Sequence, residues 1–315
     1  MSPPFPVLIL AFNRPDCTER LLAAASMYCD PNRLYIAVDG PRDNKPGDAA
    51  KVSEVRAIVE RIPRPMRTKT LLRKKNLGCR RAVSEAITWF FENEEAGIIL
   101  EDDIEPSEGF FRFCEYGLRE YSDDPSILHI AGSLYLGPYH VCPRAEVFKT
   151  TCPHVWGWAT WRRAWRLYDS SLVERPGRER RKWIRQAVSD WRSVLFYDLA
   201  FTLTKQEKMN SWAFRWYLST WKAGGYSLCP ASNLVRNVGI GVDSTHSRFE
   251  FHVANPAVGS FELPLTREPL AYDRSVSERF HLFYNRADSP WKLMRMYLST
   301  LVSRRTFTFL RGLRG

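Results

Sequence analysis

The sequence predicts an α/β fold with a mostly parallel, doubly wound central sheet across its first ~130 residues. Three apolar runs carry that expectation: Val7 to Phe12, Leu34 to Val38 and Gly97 to Leu100. Each lacks polar interruption and is short enough for a strand buried on both faces. Between them lie segments with the 3.6-residue spacing of helices, and each run stops abruptly in polar residues: Asn13-Arg14-Pro15, Asp39-Gly40-Pro41 and Glu101-Asp102-Asp103. In an open α/β sheet such strand ends gather at one edge, where ligands bind.

Taken in order, Val7 to Phe12 gives a strand and Cys17 to Tyr28 a helix with Leu21, Leu22 and Ala25 on one face. Leu34 to Val38 is the second strand, and Ala49 to Ile62 a helix closed by Pro63. Lys69 to Arg73 fits a third strand. Asn76-Leu77-Gly78-Cys79 then turns into a helix whose apolar face is Val83, Ala86, Ile87, Phe90 and Phe91. The strand Gly97 to Leu100 follows and ends in three consecutive acids, which repel one another unless a cation, a proton or solvent intervenes. Phe110 to Tyr121 reads as a helix and Ile127 to Gly132 as a strand. Beyond that point the rhythm is less regular. The stretch Thr151 to Trp161 reads as a loop that enters a helix over Thr160 to Tyr168, and its Trp156, Trp158 and Trp161 either plug the core or line a sugar site. Arg175 to Arg185 reads as a solvated basic helix face, and Trp212 to Trp221 as a helix packed on the sheet. Ser232 to His246 is short-strand and turn material.

Composition bounds the function. With 44% hydrophobic residues in 315, a full core is available, and disorder is not expected. A formal charge of +11 implies an anionic partner. Nucleic acid is not predicted, because the basic residues concentrate in one run and the tail instead of interleaving with aromatics. Seven cysteines without a CxxC pair indicate neither a zinc site nor a disulfide framework. Neither GxGxxG nor GxxxxGK[ST] occurs, which disfavours dinucleotide and P-loop binding. The amino terminus lacks a cationic signal-peptide start, and no run of about 18 apolar residues occurs. A cytoplasmic protein is expected. The stretch from Trp291 to Gly315 carries six basic residues and no acid, with Leu293, Met296, Tyr297, Leu301 and Phe307 near one stripe. It is either a peripheral anchor to an anionic membrane surface, at the inner face, or a helix packed on the domain with a basic outer side.

Five segments, PVLILAFNRP, YIAVDGPR, KNLGCRRAVSEAITWFFENEEAGIILEDDIEPSEGFFRFCEYGL, HVWGWATWRRAW and NLVRNVGIGVDSTH, occur in that order over roughly residues 5 to 250. Together they resemble the metal-dependent, nucleotide-sugar glycosyltransferases of the GT-A fold, and more narrowly the bacterial sugar transferases related to N-acetylglucosaminyltransferase I. The resemblance implies that the acidic triplet is a variant of that family's DxD motif. Asp103 would then bind Mn²⁺ or Mg²⁺, with His246 near the metal or diphosphate. Glu101 and Asp102 would contact the donor, as would Phe12, Asn13, Arg14 and Asp39; Asn76, Gly78 and Arg81 would lie close by. Trp156, Trp158 and Trp161 would fall on the acceptor side.

The organisation this implies is a GT-A catalytic domain over 1–250, divided into a nucleotide-sugar half (1–135) and an acceptor half (136–250). An irregular connection (251–290) and a basic amphipathic helix (291–315) follow. The implied reaction is inverting transfer from a UDP-sugar to a polysaccharide or a lipid-linked saccharide acceptor at the cell surface. One departure stands out. The family's relatives carry an Asp just after a Trp at a helix start, where this chain reads Ser211-Trp212-Ala213. Alanine cannot accept a proton, which leaves Asp243 as a weak candidate for the base. A catalytically silent carbohydrate-binding relative and a sugar-1-phosphate nucleotidyltransferase are the alternatives, although Phe12-Asn13-Arg14-Pro15 is not the glycine-rich loop of the latter.

Overall fold

The computed structural model describes residues 5–62, 68–135, 145–239, 257–263, 265, 272, 274–303 and 306. The first half alternates as expected: β1 (Val7–Ala11), α1 (Pro15–Tyr28), β2 (Leu34–Val38), α2 (Asp48–Glu60), β3 (Lys69–Leu72), α3 (Gly78–Asn93) and β4 (Ala96–Glu101). Pro15 opens α1 at a position where its missing N–H costs nothing. The four strands pair in parallel in the order β3-β2-β1-β4.

Both faces of this sheet are covered. Val7, Ile9, Ile36, Ile98 and Leu100 pack against Leu21 and Leu22 of α1 and Val52 and Val55 of α2. The alternate residues Leu8, Leu10, Tyr35 and Ile99 pack against Val83, Ala86, Ile87 and Phe90 of α3. The two-residue alternation of a strand thus feeds two layers of helices, which explains why these runs contain no polar residue.

After β4 the chain forms β5 (Ile104–Pro106), α4 (Glu108–Glu120), β6 (Ile127–Ala131), β7 (Val147–Thr150) and β8 (Trp158–Trp161). Next come α5 (Arg162–Trp165), α6 (Gly177–Ala187), α7 (Trp191–Lys205), α8 (Ala213–Lys222), β9 (Tyr226–Pro230), β10 (Val235–Asn237), α9 (Arg274–Tyr284) and α10 (Pro290–Leu301). The main sheet has eight strands, ordered β3-β2-β1-β4-β8-β6-β9-β7. β8 enters antiparallel between β4 and β6, and β7 closes the edge antiparallel to β9. β5 and β10 form a separate antiparallel pair.

Four expectations change here. Trp158 to Trp161 is a central strand, and the helix after it is only Arg162–Trp165. The stretch 251–290 is not simply irregular, since α9 buries Val276, Phe280 and His281 within it. α10 ends at Leu301, where Val302 turns to extended backbone, and its Leu293 and Met296 pack into the same core as Phe196 and Tyr197 of α7. The basic run is not wholly solvated either: Arg180 is buried and donates to the carbonyls of Val173 and Arg175 and to Thr202 Oγ1.

Among the described residues three histidines, His129, His154 and His281, are fully enclosed. Trp216 Nε1 donates to His129 Nδ1 at 3.1 Å, so Nδ1 must accept, and the proton on Nε2 goes to the His154 carbonyl at 2.8 Å. His129 also stacks on Trp158 with ring centroids 4.8 Å apart. A second proton on this ring would face an indole N–H. Burial pushes His129 down to about 3, although the bond to the His154 carbonyl opposes the shift. Burial likewise takes His281 to about 3, between Thr151 and Tyr197, and holds His154 well below its ordinary value. A histidine with a depressed folded pKa contributes stability that is complete above about pH 6.5 and is lost as pH falls towards 3, because the unfolded chain binds the extra protons. Urea unfolding from pH 7 to pH 4 should therefore show falling stability, with each such histidine contributing up to about 1.4 kcal/mol per pH unit. His129→Gln should flatten the slope, and a slope unchanged in that variant would contradict the assignment.

Candidate functional site

The parallel register between β1 and β4 places the acidic triplet. Leu10 pairs with Glu101, and the ladder runs one residue further through Asp102 N–H to the Leu10 carbonyl at 2.9 Å. There the side chain takes over. Asp102 Oδ2 accepts the Phe12 backbone N–H at 3.0 Å, and Oδ1 accepts Arg14 Nη1 at 3.1 Å. The same guanidinium nitrogen donates to Asp103 Oδ2 at 2.8 Å. Asp103 in turn is fixed by the small sheet: its carbonyl accepts Val238 N–H at 2.8 Å, just beyond β10. A Cβ on Gly239 would collide with the Asp103 carboxylate, so glycine is required for the two segments to close together.

Two carboxylates, Asp102 and Asp103, thus share one guanidinium, and Glu101 adjoins them without a hydrogen bond to it. Burial opposes the Arg14 charge, yet Asp102 and Asp103 hold its pKa above the ordinary arginine value. The acids remain undercompensated. Burial, and then repulsion from Asp103 and Asp102, pushes Glu101 up to about 8. Burial and Asp103 push Asp102 up to about 6 against the pull of Arg14 and the Phe12 N–H.

Asp39, at the end of β2, serves another structural purpose. Its carboxylate accepts the N–H groups of Gly40, Leu77 and Gly78 at 2.9 to 3.2 Å, together with Asn76 Nδ2 at 3.0 Å. It therefore caps the start of α3, whose own N-cap residue Leu77 has no capping side chain. Asn13 Nδ2 donates to Asp48 Oδ1 at 2.9 Å, and Arg42 clamps the same carboxylate while its guanidinium lies 5.2 Å from the Phe12 ring centre.

These groups open into a cavity of about 660 Å³. One end is lined by Phe12, Asn13, Arg14, Asp39, Asn76, Gly78 and the acidic triplet. Its other walls come from Trp156, from Phe196 and Leu203 of α7, from the 207–214 segment, and from Lys292 and Met296 of α10. Of the three tryptophans expected on the acceptor side, only Trp156 reaches the cavity. Trp158 is fully buried among His129, Trp212 and Trp216, and Trp161 is buried with its Nε1 donating to the Leu118 carbonyl. Both belong to β8, a central strand whose two faces are covered. Arg81 is not a lining residue either, because it points out along α3 and pairs with Glu85. Asp243 and His246 lie outside the described residues.

Several lining residues had no clear signal in the sequence. Arg42 is an ordinary charged residue until its pairing with Asp48, at the start of α2, brings it beside Asn13. Glu207, at φ +54°, follows α7 and lines the wall that continues to Ala213. Gly239 lies in the turn material that follows β10, and its contact with Asp103 gives it a role.

The donor set suits a divalent cation in charge and chemistry, since hard carboxylate oxygens crowd one spot with a net negative balance. Among the described residues no three His, Cys, Asp or Glu side chains form a closed cage. An ion here would depend on one or two carboxylates completed by ligand oxygens and water, the usual arrangement for Mg²⁺ with phosphates. Compared with known proteins, the chain matches no family model and no curated protein.

Two outcomes follow from this geometry. Asp39→Ala should destabilise the fold by about 2–4 kcal/mol, read by chemical denaturation, because it leaves the α3 start without its cap. Gly239→Ala should displace the Asp103 carboxylate while changing global stability by much less than Asp39→Ala does. Equal losses in the two variants would contradict this division between scaffold and site.

Proposed function

We propose that this protein is a metal-dependent GT-A glycosyltransferase that moves a sugar from a nucleotide diphosphate, a UDP-sugar by resemblance, to a saccharide or lipid-linked saccharide acceptor. The observation that carries this reading is the Glu101-Asp102-Asp103 turn at the carboxyl end of β4, beside the Phe12-Arg14 end of β1, in one large cavity. The polar end of the cavity supplies what a nucleotide diphosphate needs. Phe12 offers a ring for a base, and Asn13, Asn76 and Arg42 offer polar groups for base and ribose. Asp103 is the metal ligand in this reading.

A bound Mn²⁺ or Mg²⁺ would act as a Lewis acid on the diphosphate leaving group. The chain's own residues do the rest. Asp102 sets the distance between the β1 and β4 ends and orients Arg14, whose fixed charge lies beside the site where negative charge grows. The apolar and aromatic walls from Trp156, Phe196, Phe214 and Tyr217 enclose the transferred sugar and restrict water. For an inverting transfer, the acceptor hydroxyl must pass its proton to a base. Ala213 lines the cavity and cannot serve. Among the described residues, the lining carboxylate outside both the acidic triplet and the α3 cap is Glu207. Its left-handed backbone closes α7, with Glu207 N–H and Lys208 N–H donating back to the Thr204 and Leu203 carbonyls, and this turn aims the segment along the cavity wall. Glu207 therefore joins Asp243 as a candidate base. The alanine at 213 also favours a second reading, a nucleotide-sugar-binding protein that retains the fold without turnover.

Calorimetric titration of a panel of nucleotide sugars, with Mn²⁺ and then with chelator, tests the first reading. One donor should bind only with metal, and Asp103→Ala should abolish that binding while the protein stays folded. Binding of no donor under either condition would sink the proposal. Glu207→Gln separates the two readings where turnover is found: a loss of about a hundredfold in kcat with donor affinity retained identifies the base, and a wild-type rate returns the role to Asp243.

A further inference from the structure

Helix α10 has two apolar faces, and among the described residues only one is packed into the core. Leu293 and Met296 are buried against α7, and Lys292 turns inward, with its Nζ 5.2 Å from the Phe196 ring centre. On the outer side, Trp291 is 77% exposed, Leu301 65%, Tyr297 53%, Leu298 52% and Met294 46%. At about 100° per residue these five fall within roughly a third of the helix circumference. A continuous outward stripe containing Trp, Tyr and three long apolar side chains is not needed for folding, because the inward stripe already supplies the packing. The charge of the segment, read along the sequence, has one sign. From Ser289 to Gly315 the sequence contains Lys292, Arg295, Arg304, Arg305, Arg311 and Arg314 and no Asp or Glu.

We propose that the outer face of α10 docks on a bilayer containing anionic lipid, with Trp291, Met294, Tyr297, Leu298 and Leu301 entering the headgroup region. Trp and Tyr suit that boundary because each has an apolar body and a polar edge, and the acid-free basic segment provides charge complementarity. A second copy of the chain would bring a second basic segment of the same sign to this face, which argues for lipid over self-association.

The attachment is mechanically tied to the cavity. Lys208 Nζ donates to the Ser299 carbonyl at 2.9 Å and the Val302 carbonyl at 2.6 Å, and Gln206 Nε2 donates to the Thr300 carbonyl at 3.1 Å. The segment carrying Glu207 is thereby fastened to the end of the docking helix, while Lys292 and Met296 on its inner side line the cavity. The α10 wall would then lie at the membrane surface, which suits an acceptor with a lipid tail. That last step rests on the glycosyl-transfer reading, whereas the docking does not.

Co-sedimentation with vesicles of phosphatidylcholine, with and without phosphatidylglycerol, tests the docking with neither donor nor metal present. The full chain should bind the anionic vesicles and leave the neutral ones largely unbound. Leu298→Glu combined with Leu301→Glu should lower vesicle affinity at least tenfold, and Arg295→Gln by about fivefold. Circular dichroism and nucleotide-sugar affinity should be unchanged in the double variant, so a failure of docking is read separately from a failure of the catalytic reading. Absence of binding by the full chain, or equal binding by the double variant, would overturn the proposal. So would a dimer in analytical ultracentrifugation that the double variant abolishes, since the face would then belong to a second copy.

Discussion

The Asp102 carboxylate is the fixed point of the molecule's polar edge. Its backbone N–H completes the ladder between β1 and β4, and its side chain accepts the Phe12 N–H and the Arg14 guanidinium. Where the ladder runs out, a side chain continues it. Two chain segments that would otherwise splay apart as they leave the sheet are tied together, and that tie fixes where Arg14 and Asp103 sit. A residue without a side-chain acceptor at position 102 would leave the Phe12 N–H unpaired and Arg14 held by Asp103 alone.

Stability and chemistry are separated around this point. Asp39 and Asp48 are used by the scaffold: one caps α3, and the other holds Asn13 and Arg42. Glu101 sits where the scaffold gives it no paired donor, and its upward shift, from burial and then its acidic neighbours, expresses that imbalance, whereas Asp103 shares Arg14 with Asp102. Strand-end acids of similar appearance in the sequence therefore have unlike roles. What distinguishes them is the number of N–H groups within reach.

The parallel half of the fold was legible because its signal is local. Val7 to Ala11, Leu34 to Val38 and Ala96 to Glu101 have no polar interruption, and the helices between them are periodic, so the gathering of their ends follows from topology alone. In the second half the helices near 177–187 and 213–222 were legible as periodic runs, but the strand over 158–161 was not, for the opposite reason. Trp158 to Trp161 is strand only because β4 and β6 lie on either side of it, and nothing within Trp-Ala-Thr-Trp itself announces that. The same ambiguity misplaced Trp158 and Trp161 at the cavity. A tryptophan-rich stretch reads equally as lining or as core until its neighbours are known, and here His129, Trp212 and Trp216 supply the core. Arg81 was placed near the cavity by its proximity in sequence to Gly78, but its long side chain runs along the surface of α3 to Glu85.

The insertion of β8 between β4 and β6 also bears on how the chain is made. β1 to β4 can pair as soon as residue 101 has been synthesised, but the outer edge of β4 stays open until residues 158–161 arrive, and β6 finds its neighbours only then and with β9. The strand left waiting is the apolar run Ala-Gly-Ile-Ile-Leu that bears the acidic triplet. An open apolar edge recruits other strands, so nascent chains on neighbouring ribosomes are exposed to mispairing during that interval. The strand that carries the acidic triplet thus gains its second neighbour only when the second half of the sheet arrives.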